Sequence, residues 1–344
     1  MPVTPEAPIP AGHRPVGSSG LVVSELGVGA STFGRSGMRA QGAAQVQAIV
    51  DRAIDLGVTY FDLAEGYGDE VGLSEQLFGD ALRGRREQVV IGTKFGRSLQ
   101  QTRGPAYSLT GSRKYILASV EESLRRLGTD YIDLYQIHFP DAHTPIDETL
   151  SALTDLVRSG KVRYIGASNF AAWQIADAQH VAAAAGHAAF VSTTDEYNLL
   201  WRRPEQELIP ALQRFGLGLI PYFPLQNGLL TGKYSAQHAP EGAKITNLKR
   251  NLLREAPWEA LSRFEAFARE RGITPSAAAL GWLLAQPTVA SVIAGVTVPE
   301  QLDENLAASR WVPTREEEQE LRDILPGALS GGPGRVVTDD GAGS

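Results

Sequence analysis

The chain has 344 residues, 43% of them hydrophobic, which suits one large core or two ordinary ones. A formal net charge of -7 argues against nucleic acid or an anionic membrane as the main partner, and the absence of cysteine excludes disulfides, thiolate metal sites and a cysteine nucleophile. Residues 1–20 lack an apolar h-region, and no run approaches the roughly 18 apolar residues of a membrane span, so a cytoplasmic protein is expected.

Residues 1–13 read as a Pro-rich disordered tail, and RPVGSSGLVV (14–23) as a hairpin around Gly17–Gly20 that could cap a barrel floor. From there, strand-like runs alternate with helical patterns roughly every 30 residues, the unit length of a (β/α)8 barrel. SELGVGA (24–30) comes first, then a helix over 41–57 stopped by Gly57, and VTYFDL (58–63). A helix over 75–84 leads to VVIGTK (89–94), and one over 112–128 leads to YIDLYQIH (131–138). The helix at 146–160 precedes VRYIGAS (162–168), and that at 170–186 precedes FVSTTDEY (190–197). A helix over 204–216 runs into LGLIPY (217–222), the seventh strand, and a long βα connection over 223–255 follows it. Thr274 as N-cap and Pro275 at the first position open a helix over 274–286. SVIAGV (291–296) is the eighth strand, with a helix at 299–309, and residues 331–344 read as a disordered tail.

Eight strands with about eight helices make an α/β chain with a (β/α)8 TIM-barrel count, one domain over 14–328. The rival is an open doubly wound sheet, which wants a Gly-rich turn after its first strand; GVGASTFG (27–34) is not GxGxxG.

Three of these runs end on, or just before, groups that move protons: Asp62 and Tyr67, Lys94, and His138. In a barrel these meet at the C-terminal rim, where the chemistry is kept. A free phenol titrates near pH 10, and an adjacent ammonium would lower that value. Asp62 would keep Lys94 charged, and a neutral His138 could hold a carbonyl oxygen beside Tyr67. Together they describe a carbonyl reduction site that needs an external hydride source. His138, Asp141 and His143 in HFPDAH resemble a metal triad only superficially, and no metal is expected.

The same residues lie in segments that resemble the aldo-keto reductase family from about residue 14 to 310. FDLAEGYG (61–68), IGTKFG (91–96) and DLYQIHFPD (133–141) resemble its Asp/Tyr, lysine and histidine segments. IGASNF (165–170), YFPLQNGLLTGKY (222–234) and VTVPEQLDENL (296–306) resemble its cofactor segments. The resemblance implies hydride transfer from NADPH to an aldehyde or ketone, with Tyr67 as proton donor. It implies that Ser168 and Asn169 hold the nicotinamide carboxamide and that Tyr222 stacks on the ring. Pro224, Leu225 and Gly228 would line the pyrophosphate, and Gln301 and Asn305 would grip the adenosine end.

Thr194 stands where the family usually has a third carboxamide contact, Gln, and its shorter hydroxyl would reach only through water. Gly295 to Gln301 has no Lys or Arg for the 2′-phosphate. Thr297 and Gln301 can only hydrogen-bond it, so Lys233, Lys244, Lys249 or Arg250 would substitute, with NADH as the alternative cofactor. Pocket walls are expected from the rim loops, including Phe33, Arg97, Tyr107, Phe139, Phe223 and Gln226. The partner is a small carbonyl compound. A second reading is a redox-sensing regulatory protein resembling potassium-channel β subunits, with little turnover.

Overall fold

In the computed structural model, which describes residues 9, 12–97, 103–236 and 250–327, the predicted alternation closes into a barrel. The strands β1 (His13–Pro15) and β2 (Val22–Ser24) pair antiparallel with Arg14 opposite Val23. Eight parallel strands follow: β3 (Leu26–Gly29), β4 (Tyr60–Asp62), β5 (Val90–Phe95), β6 (Ile132–Ile137), β7 (Val162–Ser168), β8 (Phe190–Thr194), β9 (Gly218–Leu219) and β10 (Val292–Gly295). They are ordered β10-β3-β4-β5-β6-β7-β8-β9. The ring is closed by Leu219 N to Thr288 O (2.8 Å), Ala290 N to Leu219 O (2.8 Å) and Ile293 N to Pro221 O (3.0 Å). The seventh barrel strand is shorter than its apolar run because Pro221 has no N–H to extend the ladder.

The helices are α1 (Ala43–Asp55), α2 (Leu73–Leu82), α3 (Arg113–Leu127), α4 (Ile146–Arg158), α5 (Ala172–Ala185), α6 (Leu208–Phe215), α7 (Arg250–Glu255), α8 (Trp258–Glu270), α9 (Pro275–Leu284), α10 (Glu300–Ala308) and α11 (Arg315–Ile324). Their ends follow local chemistry. Ser112 accepts from Tyr115 N at 3.3 Å and Gly128 closes α3 at φ 64, while Thr274 accepts from Ala277 N at 3.1 Å ahead of Pro275. Among the described residues, no helix is long and apolar enough to cross a membrane.

The hairpin does close the floor. Val16, Leu21 and Val23 pack with Tyr60, Leu134, Ile220, Ala290 and Ile293 in a separate buried cluster. Each buried aliphatic contributes about 2 kcal/mol of transfer free energy. Gly17 makes this approach possible: it sits at φ +57, and a Cβ there would lie 2.3 Å from Gly216 O. With the floor sealed, the C-terminal rim is the open end. The tails expected at 1–13 and 331–344 lie outside the described residues, apart from residues 9, 12 and 13.

Candidate active site

Asp62 is the last residue of β4, and Lys94 lies near the end of β5. Both are buried. Lys94 Nζ donates to Asp62 Oδ1 at 2.5 Å, Asp62 Oδ2 at 2.6 Å and Leu63 O at 3.2 Å. Three N–H donors thus meet three acceptors, the arrangement a buried ammonium needs. Burial holds Lys94 below and Asp62 above their ordinary pKa values, and the attraction between them opposes burial at each.

His138 follows β6, tied to β5 by its N–H to Phe95 O at 2.7 Å. Its ring meets that of Tyr67 edge-on at 5.8 Å and stacks on Phe139 at 4.7 Å. Burial first, then the charges of Lys94 and Arg97, hold the imidazole well below its usual pKa, so it is neutral at pH 7 as expected. Lys94 Nζ lies 5.3 Å from the Tyr67 ring centroid. The sequence therefore brings Asp62, Tyr67, Lys94 and His138 together at one rim.

The tuning of Tyr67 differs from expectation. Burial and then the Asp62 carboxylate push the phenol well above 10, and the cations that oppose this are Arg97 and Arg35. Lys94 does not lower it because its hydrogen bonds and charge are satisfied by Asp62. The phenol is held protonated.

The residues expected to hold the nicotinamide are linked to this group. Ser168, the end of β7, donates to Thr194 O at 2.7 Å. Asn169 adopts φ 61, a left-handed conformation that Asn tolerates better than most residues. Its Nδ2 donates to His138 O and to Ser168 Oγ, both at 3.0 Å, and its Oδ1 accepts from Tyr222 OH at 2.8 Å. Thr194 Oγ1 donates to Gln136 Oε1 at 2.7 Å, so its hydroxyl is anchored to the histidine strand.

After Tyr222 the backbone turns through left-handed values at Phe223 (φ 53), Gln226 (φ 44), Asn227 (φ 54) and Gly228 (φ 100), with Pro224 and Leu225 between. Such non-glycine residues cost about 1–3 kcal/mol each and cluster where a ligand is gripped. Lys233 folds over this turn: a Cβ on Gly228 would meet its Cε at 3.1 Å and Nζ at 3.4 Å. Gly295 ends β10 in open space, while Thr297 N and Oγ1 donate to Gln301 Oε1 at 2.8 and 3.1 Å. Asn305 is buried on α10. Lys244 and Lys249 lie outside the described residues, as does the side chain of Arg250.

Asp141 is engaged by its own loop, accepting from Gly111 N at 2.9 Å, His143 N at 2.9 Å and Thr144 Oγ1 at 2.7 Å. Two residues went unremarked in the sequence. Gln136 faces the barrel with Lys94, its register partner, a position that strand alternation two residues before His138 would have flagged. Asn198 donates to Phe223 O at 3.0 Å and accepts from Leu200 N and Trp201 N at 2.9 Å; that role is tertiary and leaves no local signal.

A sequence model described as "Aldo/keto reductase family" matches residues 25–325. The "L-glyceraldehyde 3-phosphate reductase" of Escherichia coli (strain K12) is 37% identical over 322 residues, 86% of this chain and 87% of that protein. "Uncharacterized oxidoreductase YrpG" of Bacillus subtilis (strain 168) is 37% identical over 323 residues, 91% and 95% of the two chains. "Probable voltage-gated potassium channel subunit beta" of Oryza sativa subsp. japonica is 33% identical over 311 residues, 88% and 92% of the two chains.

Proposed function

The chain belongs to the aldo/keto reductase family, and from that premise we propose that it is a cytoplasmic, NADPH-dependent reductase of aldehydes or ketones, folded as one domain over 14–328. The observation that carries the reading is the buried Lys94–Asp62 pair beside Tyr67 and His138 at the open rim. The residues fit a nicotinamide cofactor. Asn169 fixes the Tyr222 ring by its hydroxyl, and the left-handed turn through Gly228 presents backbone under Lys233. Ser168 and Asn169 would hold the carboxamide, Tyr222 the ring face, and Lys233 with Thr297 and Gln301 the phosphate end.

When bound, the nicotinamide supplies a hydride to the carbonyl carbon. The chain supplies the proton and the orientation. A neutral His138 donates an N–H to the carbonyl oxygen and leaves the charge balance of the site untouched. Tyr67 gives its proton to the same oxygen as the alkoxide forms. The charges that favour the phenolate left behind are those of Arg97 and Arg35, while the Lys94–Asp62 pair, 5.3 Å from the ring at Lys94 Nζ, holds the strand ends in place.

Titration of the purified protein with NADPH and NADH, read by fluorescence and followed by 4-nitrobenzaldehyde, tests this. Tight NADPH binding and loss of the reduced-nicotinamide signal are expected, with at least about tenfold weaker NADH binding. Equal affinities would overturn the NADPH preference. Similarity to a channel β subunit favours the second reading, a redox-sensing regulator. That reading predicts binding with negligible oxidation by any carbonyl.

A further inference from the structure

Gln136 lies on β6 and is fully buried, in register with Lys94 on β5 and Gly166 on β7. A Cβ on Gly166 would lie 2.6 Å from Ser192 Oγ and 3.2 Å from Gln136 Cγ, so the glycine gives both polar side chains their room. Gln136 Oε1 accepts from Thr194 Oγ1 at 2.7 Å, and its Nε2 is buried with no hydrogen-bond partner. A buried unpaired donor is costly, and filling this space would need only an apolar side chain. Around it the protons are committed. Asn169 Nδ2 gives its two to His138 O and Ser168 Oγ, and Ser168 gives its own to Thr194 O. Those carbonyls can only accept, which fixes the sense of both side chains. Gln136 has no carbonyl to fix it, because its Nε2 is unpaired. Turned over, it would donate to Thr194 Oγ1 and release that hydroxyl's proton. The groups facing it decide: Asp62 and Tyr60 from β4, and Lys94 from β5. Burial raises the proton affinity of Asp62, and Lys94 first, then Tyr60 and the Gln136 amide, oppose it. An amide does so with its NH2 end toward the carboxylate; its oxygen there would be repelled.

We propose that Gln136 is a positioning residue for the nicotinamide: with its NH2 end turned to the Asp62 carboxylate, its oxygen holds the Thr194 hydroxyl in one sense, as an acceptor whose proton is committed. This rests on the reading of Ser168, Asn169 and Thr194 as the carboxamide cradle, and adds the group that sets its polarity. The protons of those three side chains are then spent inside the protein, and lone pairs are what they have left. Lone pairs suit a ring substituent that brings its own N–H donors, as a primary carboxamide does, directly or through a water. One amide thereby carries the charge of the Asp62–Lys94 pair to the cradle.

The test is equilibrium binding of NADPH, read by fluorescence, in a double-mutant cycle of Gln136→Met with Thr194→Val. Each single change is expected to weaken binding about tenfold. The double variant should bind no more weakly than Thr194→Val alone, because Gln136 acts through that hydroxyl. Gln136→Glu supplies the readout that packing would not move. Its neutral carboxyl accepts from Thr194 and donates toward Asp62 as the amide does. Once ionised, it sets a second carboxylate against Asp62 and competes for Lys94, letting go of Thr194. Burial and that neighbour raise the pKa of a glutamate there, so affinity relative to wild type should be close to one at about pH 5.5 and fall about tenfold by about pH 8.5. Losses that add in the cycle, or a Gln136→Glu variant whose relative affinity ignores pH, would overturn the assignment. Where Gln136→Met does not fold, the Gln136→Glu profile alone decides. Coupled, pH-dependent binding with no turnover of 4-nitrobenzaldehyde or any other aldehyde would uphold the assignment and overturn the reductase reading.

Discussion

The Tyr222 hydroxyl donates to Asn169 Oδ1 at 2.8 Å, so the aromatic ring after the seventh barrel strand is fixed by the residue after the fifth. Asn169 in turn donates to His138 O, which joins the ring to the proton-handling group. One amide thus couples the surface meant for the nicotinamide to the residue meant for the carbonyl. The consequence is that hydride donor and acceptor would be registered by the same side chain.

Replacing Asn169 separates its two contributions. Asn169→Ala removes the amide and places a less tolerant residue at φ 61, so both stability and NADPH affinity should fall, the former by about 1 kcal/mol. Asn169→Gly restores the backbone freedom but not the amide. It should recover the stability in urea unfolding while Kd stays raised about tenfold or more. Recovery of both would show that only the backbone conformation matters.

Tyr67→Phe should cut turnover by about two orders of magnitude or more, the usual value of acid catalysis, while NADPH affinity changes little. The ring stays to pack edge-on against His138, so the fold has no reason to respond. Steady-state kinetics with fluorescence binding in parallel checks it. An unchanged rate removes Tyr67 from the mechanism.

Much of this site was legible because strand ends carry their side chains to one rim. The run VRYIGAS coincides with β7 residue for residue, and Ser112, Gly128 and Thr274 bound their helices through local hydrogen bonds. What was not legible is tertiary. The Asp62–Lys94 pair was expected, but its consequence was not: with Lys94 held by Asp62, burial and the Asp62 charge raise the proton affinity of Tyr67. Apart from the short α7 inside the long connection, helices α8 and α11 passed unremarked. In α11, a strongly polar segment, Leu321 is the buried residue, which leaves little apolar periodicity. The left-handed turn starts at Phe223 and continues at Gln226, residues that do not advertise it, although Asn227 and Gly228 do.

Asp195, just after β8, gives the protein a pH-dependent stability. Burial, opposed by a hydrogen bond from Thr193 Oγ1, pushes its carboxyl up to about 7. A carboxyl raised in the folded state contributes stability that is fully present below its unfolded value, near 4, and lost as pH rises through about 7. Wild-type unfolding free energy should therefore decline between roughly pH 4 and 7, by at most about 1.4 kcal/mol per unit from this group. Asp195→Asn keeps an acceptor for Thr193 and removes the titration. Its urea midpoint should decline less over that window, and parallel curves for the two proteins would refute the assignment.

Asn198 offers the sharpest test of how the turn proposed for the cofactor is held. Its amide donates to Phe223 O while its carbonyl accepts from Leu200 N and Trp201 N, so one buried side chain satisfies three backbone groups. Asn198→Asp keeps the two acceptor bonds but sets a carboxylate against the Phe223 carbonyl, repelling the residue whose φ of 53 starts the turn. NADPH affinity at pH 8 should fall about tenfold or more. Protonation would restore a donor toward Phe223 O, so affinity relative to wild type should recover as pH falls toward 5. Asn198→Leu, which supplies neither donor nor acceptor, should lose affinity at every pH. If the Asp variant shows no pH-dependent recovery while the Leu variant still folds, the Phe223 bond is not what shapes the turn.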